Sequence, residues 1–241
     1  MKNSQINLFS KQPLTIISKT NFINFLNCKY TWYLANVKKI KPKLTLNMEA
    51  GNTLHSILKE INQKFSTLEE VKKFIELKKL SLKEHEKEIN NILLFLESRN
   101  KKNLNIFPVI SETSLEIRVS NFKLKGIVDA IYNFEDEFEI FEYKKSFYKS
   151  KIEDFFLETS FYSFLFENSQ KRKIIRMGLF SFETGEVIYK EYNLNQSKET
   201  EEKIIYVIDS INKNNFEPNP SIENCKNCIF KEFCEYAYKN F

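Results

Sequence analysis

The residue pattern predicts an α/β protein with a helical N-terminal portion, and three observations carry that prediction. Apolar residues recur at helical spacing through roughly the first hundred positions. From Val109 the period drops to two, as in strands. Paired strand patterns then alternate with helical stretches, the order of a sheet covered by helices, before a cysteine-bearing tail. Residues 1–105 are thus expected to form the helical portion, 106–215 the sheet-bearing core, and 216–241 the tail.

Taken in order, Ser18-Lys-Thr-Asn reads as a helix start, followed by Phe22, Ile23, Leu26, Tyr30, Trp32 and Tyr33. A second helix is expected from about Met48 through Phe65, with Leu54, Ile57, Leu58 and Ile61 along one face. Ser66-Thr-Leu-Glu69 matches a capping box, and the charged stretch after it predicts helix to about Asn100, its lysines and glutamates forming a solvated face. Leu115, Ile117 and Val119 alternate as a strand does. Phe122–Phe134 and Phe138–Lys144 predict a hairpin around Glu135-Asp-Glu137. A helix from Ile152 to Asn168 follows, then a second hairpin, 174–182 and 187–192, turning at Thr184-Gly185. A last helix, Ser197 to about Asn212, ends before Pro218 and Pro220, and no internal repeat is visible.

Composition sets limits. Hydrophobic residues make up 42% and include 23 Phe, so a large core can form. The net charge of +5 permits a nucleic-acid partner without arguing for one. The first residues lack the apolar stretch and cleavage site of a signal peptide. The longest apolar run, Ile92 to Leu96, is far short of the roughly 20 residues a membrane helix needs. A soluble, cytoplasmic protein is the expectation. In a reducing compartment its four cysteines read as metal ligands rather than disulfides.

The segment richest in chemistry is Gly126-Ile-Val-Asp129 followed by Phe141-Glu142-Tyr143-Lys144. Glu142 and Lys144 are two apart on a strand, so they leave the same face. An even hairpin loop brings Asp129 to that face as well, and an odd one turns it away. In the even case two carboxylates and an amine converge. Such carboxylates can hold Mg²⁺ or Mn²⁺, hard cations that prefer oxygen, and a lysine beside them can orient water or stabilise an oxyanion. An exposed hairpin edge carrying Glu and Lys is the plainer alternative.

The order of motifs along the chain resembles the PD-(D/E)xK nucleases of the RecB/AddB-like iron–sulfur branch, and is most similar to the small CRISPR-associated exonucleases. The residues that carry the resemblance are Cys28, Gly51-x-x-x-His55, Gly126-x-x-Asp129, Glu142-x-Lys144, Tyr162, and the triad Cys225, Cys228, Cys234. It implies a restriction-endonuclease-like core, a central mixed sheet flanked by helices. It also implies that Asp129, Glu142 and Lys144 are catalytic, and that His55 joins Asp129 and Glu142 as a ligand of the Mg²⁺ or Mn²⁺. A carboxylate on the strand before the hairpin is a further family feature, with Glu112 the nearer candidate and Glu116 the second. His85 matches no motif and reads as a surface residue. The chain departs from the family in one place: the helix that should carry Gln four residues before Tyr162 has Glu158, whose carboxylate repels phosphate rather than donating to it. Tyr162, Glu158 and Lys145 are expected near the substrate, with core packing the alternative for Tyr162.

Cys225-x₂-Cys228-x₅-Cys234 needs a fourth ligand, and Cys28 is the one cysteine left. Four thiolates suit Zn²⁺ or an iron–sulfur cluster, and the resemblance implies [4Fe-4S], with the tail packing back on the N-terminal portion. The resulting expectation is a Mg²⁺- or Mn²⁺-dependent DNA nuclease, an exonuclease or end-trimming enzyme favouring single-stranded ends. The alternative is a largely non-catalytic DNA-binding subunit of a repair complex or of CRISPR spacer acquisition, beside an integrase.

Overall fold

The computed structural model describes residues 14–41, 46–226 and 228–238, with backbone alone for 46–50. Strand β1 (Thr15–Ser18) runs straight into α1 (Lys19–Asn27), then α2 (Tyr30–Trp32) and a π-helical turn at Tyr33–Val37. Three helices follow: α3 (Leu46–Lys64), α4 (Leu68–Ser81) and α5 (Glu86–Lys101). The hairpin strands β2 (Ile110–Val119), β3 (Phe122–Phe134) and β4 (Glu137–Lys144) lead to α6 (Ile152–Gln170). Strands β5 (Ile174–Ser181) and β6 (Val187–Glu191) follow, then α7 (Leu194–Asn212), the short α8 (Ile222–Lys226) and a 3-10 turn at Lys231–Phe233.

The expected α/β core is present as one mixed six-stranded sheet. β2 pairs antiparallel with nearly the whole of β3, from Ile110↔Ile131 to Val119↔Phe122. The other edge of β3 is shared: β1 lies parallel along Phe122–Lys125 and β4 antiparallel along Ala130–Phe134. β5 continues the sheet parallel to β4, and β6 closes it antiparallel. Alternation then sends apolar side chains to two cores. One joins Ile17, Leu124, Ile140 and Leu179 to α1, α6 and α7, where Phe22 stacks on Phe161 with ring centroids 4.8 Å apart. The other joins Ala130, Tyr132, Phe141 and Phe180 to α3, α4 and α5.

Four local expectations are adjusted. β1 was not anticipated; four residues are too few to show a period. The capping box sits one residue later, with Thr67 and Glu70 as the reciprocal pair, because Thr67 takes the extended backbone a cap needs. The long charged helix is broken at Leu82–His85, which lets Val71 and Ile75 of α4 bury in one core with Ile89 and Ile92 of α5. Half-buried His85 lies at this break. Finally, Glu137 belongs to β4, so the hairpin turns on Glu135 and Asp136 alone, with Glu135 at φ 53.

Candidate active site

The shared edge of β3 leaves a gap. β1 stops opposite Lys125 and β4 pairs only from Ala130, so Gly126–Asp129 have no strand on that side. Because the hairpin loop has two residues, the register carried one step past Ala130↔Phe141 sets Asp129 opposite Glu142. Here the strands part. The Asp129 carboxylate accepts the Tyr143 N–H at 2.6 Å, in place of a ladder bond. Across the other edge, Glu112 of β2 takes φ 48, an uncommon conformation for a non-glycine residue. The β2–β3 pairing is interrupted there, between Ser111↔Ala130 and Thr113↔Val128.

His55 reaches this point from α3. Its Nδ1 lies 3.2 Å from Glu112 Oε1 and 3.6 Å from Asp129 Oδ1, and its Nε2 lies 3.2 Å from the Tyr143 carbonyl. A carbonyl can only accept, so Nε2 carries a proton, and Nδ1 is the ring atom turned toward two carboxylates. One ligand atom from each of His55, Glu112 and Asp129 lies within 4.8 Å of the other two. Three electron-rich groups facing one another need a proton or a cation between them. Glu142 adds a second sign of the same need. Its Oε1 is held by Lys144, while its Oε2 is buried with no hydrogen-bond partner. The donor set, one imidazole and two carboxylates with Glu142 beside them, suits a hard divalent ion.

Electrostatics agree with the geometry. Burial, then the Glu142 charge, pushes the Asp129 carboxyl well above the usual carboxylate range. Burial opposes ionisation of Glu142 too, but Lys144 and Lys19 outweigh it and hold its pKa below that range. Burial would lower His55, yet the Glu112 hydrogen bond and the Asp129 charge raise it.

The cleft gathers most of the residues singled out from the sequence: Asp129, Glu142, Lys144, His55, Lys145 and Tyr162 all line it. Tyr162 is at once core and cleft wall, 4% exposed and packed beneath the Lys19 ammonium. Glu158 stands behind Lys144 and binds its Nζ at 2.7 Å. Glu112 joins the His55 group, whereas Glu116 is turned away and pairs with Lys123. Sequence reasoning missed Lys19, one of 37 basic residues with no motif around it. Only its place after the helix cap Ser18 set it apart.

The four cysteines are unpaired and line a separate cavity with Pro218 and Pro220. The Asn219 N–H donates to Cys28 Sγ at 3.3 Å, tying the tail to the end of α1. Burial, then neighbouring sulfurs among other contacts, raises the Cys228 and Cys234 thiols, so ionising them calls for a cation. Among the described residues no three of these sulfurs lie within 4.8 Å of one another. Tetrahedral zinc, with bonds of about 2.3 Å, needs sulfurs only about 3.8 Å apart.

A family model, the PD-(D/E)XK nuclease superfamily, matches residues 16–235, and the chain belongs to that superfamily. Among solved structures it is similar to a "Putative exonuclease" from Eubacterium rectale, with a TM-score of 0.53 at 10% identity, covering 100% of this chain and 96% of the other. It is also similar to SSO0001, with a TM-score of 0.51 at 16% identity, covering 95% and 90%. At such identities these likenesses speak for the fold, the restriction-endonuclease-like mixed sheet flanked by helices. No curated protein sequence matches the chain.

Proposed function

We propose that the protein is a Mg²⁺- or Mn²⁺-dependent deoxyribonuclease that trims DNA ends, with single strands favoured. One observation carries the reading: His55, Glu112 and Asp129 converge beside Glu142, whose Oε2 is buried and unpartnered, with Lys144 next to them. His55, Asp129 and Glu142 would hold the ion, and Glu112 would complete the protein ligands. The bound ion lowers the pKa of a water and offsets charge on the phosphodiester. Lys144 has three donors and uses two on Glu142 and Glu158, which leaves one for the attacking water or a phosphate oxygen. Tyr162 and Lys145 line the cleft where the strand would run.

The order of motifs supports the RecB/AddB-like branch, that of the small CRISPR-associated exonucleases, with residues 106–215 as nuclease core and 216–241 closing back on 1–105. In this reading, which follows the order of motifs, Cys28, Cys225, Cys228 and Cys234 hold a [4Fe-4S] cluster, with Zn²⁺ the alternative occupant. A cytoplasmic setting suits the free thiols. No helix among the described residues is long and apolar enough to cross a membrane.

The test is cleavage of end-labelled single-stranded DNA by pure protein with Mn²⁺. Asp129→Ala and Glu142→Ala should each slow it by at least about 100-fold while circular dichroism stays unchanged. Cleavage that survives both substitutions would sink the assignment.

A further inference from the structure

Beside the proposed ion ligands, four charged side chains close into a ring. Lys144 Nζ lies 2.7 Å from Glu142 Oε1 and 2.7 Å from Glu158 Oε2. Lys19 Nζ lies 2.5 Å from Glu158 Oε2 and 3.6 Å from Glu142 Oε1. Each lysine touches both carboxylates, the signs alternate, and the ring is neutral. Its members come from α1, β4 and α6, and none has a side chain more than 19% exposed. Taking away one member of such a set strands a charge with little water to screen it.

The members differ in task. Glu142 and Lys144 belong to the proposed chemistry. Glu158 faces Lys144 from α6 and anchors it, but an unbalanced carboxylate there would repel an incoming phosphodiester. Lys19 supplies the balance. Ser18 both ends β1 and caps α1, so Lys19 is the first residue past the strand, delivered into the gap opposite Gly126.

We propose that Lys19 is a positioning residue of this site: by neutralising Glu158 it lets that carboxylate hold Lys144 against Glu142 without presenting net negative charge to substrate. The inference rests on the nuclease reading above.

Five proteins test it: wild type, Lys19→Met, Lys19→Arg, Glu158→Gln and the Lys19→Met/Glu158→Gln double variant. Three measurements are made: single-turnover DNA cleavage at saturating Mn²⁺, Mn²⁺ affinity by calorimetry without DNA, and the metal-free melting temperature. Lys19→Met should slow cleavage by about 10- to 100-fold, while Mn²⁺ affinity holds or tightens, because the pocket gains negative charge. Adding Glu158→Gln, the neutral isostere, should recover most of that loss, and Lys19→Arg, which keeps the charge, should lose less than Lys19→Met. If Lys19→Met does not fold, Lys19→Gln takes its place. A double variant as slow as Lys19→Met, a Lys19→Met enzyme as fast as wild type, or a loss explained by weaker Mn²⁺ binding overturns the proposal. If wild type itself does not cleave, the nuclease reading fails separately. The ring is then judged from metal-free melting: a drop in Lys19→Met recovered in the double variant upholds the neutralisation, and no recovery overturns it.

Discussion

Asp129 and Glu142 are nearly the same group, stand opposite each other, and titrate in opposite directions. Burial, reinforced by the Glu142 charge, pushes Asp129 up to about 8. A carboxyl raised on folding contributes stability while it is protonated, and that contribution fades as pH rises from the ordinary carboxylate range toward 8. Glu142 behaves inversely: against the cost of burial, Lys144 and Lys19 hold it at about 2. Its contribution is present above the ordinary carboxylate pKa and lost as pH falls toward 2. An ion held by Asp129 would bind its deprotonated form, so on the proposed reading binding releases a proton near neutrality. Mn²⁺ affinity should therefore climb between pH 6 and 8, by up to about tenfold per unit. Calorimetry in buffers of different ionisation heat measures the release directly. Zero protons released at pH 6.5 would show that Asp129 is already ionised in the metal-free protein.

At the scale of elements, the site exists because two strands share one edge of β3 without meeting. Gly126 sits at that gap for a steric reason. A Cβ there would lie 2.4 Å from Tyr162 Cε1, so the buried ring would have to move. Gly126→Ala should cost about 1–3 kcal/mol, seen as a lower urea midpoint with unchanged slope. Tyr162→Leu in the same chain should relieve part of that cost. Equal penalties in both backgrounds would mean that close packing against Tyr162 is not what requires glycine. The two-residue turn at Glu135–Asp136 matters as much, since one more residue would send Asp129 to the opposite face.

For the molecule as a whole, the contacts of Asn219 with Asn27 and Cys28 tie the segment after α7 to the end of α1. A cluster bridging Cys28 to Cys225, Cys228 and Cys234 would close a very long loop, where closure removes most entropy from the unfolded chain. Cys28→Ser should lower the melting temperature by at least ~5 °C and remove the broad visible absorption that the proposed cluster would confer. Cleavage per folded molecule should survive, because the cysteine cavity and the cleft share no lining residue. A variant that keeps both its colour and its melting point would show that the cysteines staple nothing.

The sequence by itself determined the alternation of helices and strands, the pairing of Glu142 with Lys144 on one face, and the order of motifs that marks the superfamily. Those are local facts, set by spacing along the chain. It left open which face Asp129 takes, because that depends on whether Glu137 joins the turn or the strand. It held no sign of β1, which gains its conformation by pairing with β3 from more than a hundred residues away. Nor could it single out Lys19, or explain a glutamate at 158, since each acquires meaning from the other across 139 residues. Charges far apart in sequence interact only through distance and burial, and only the folded chain sets those.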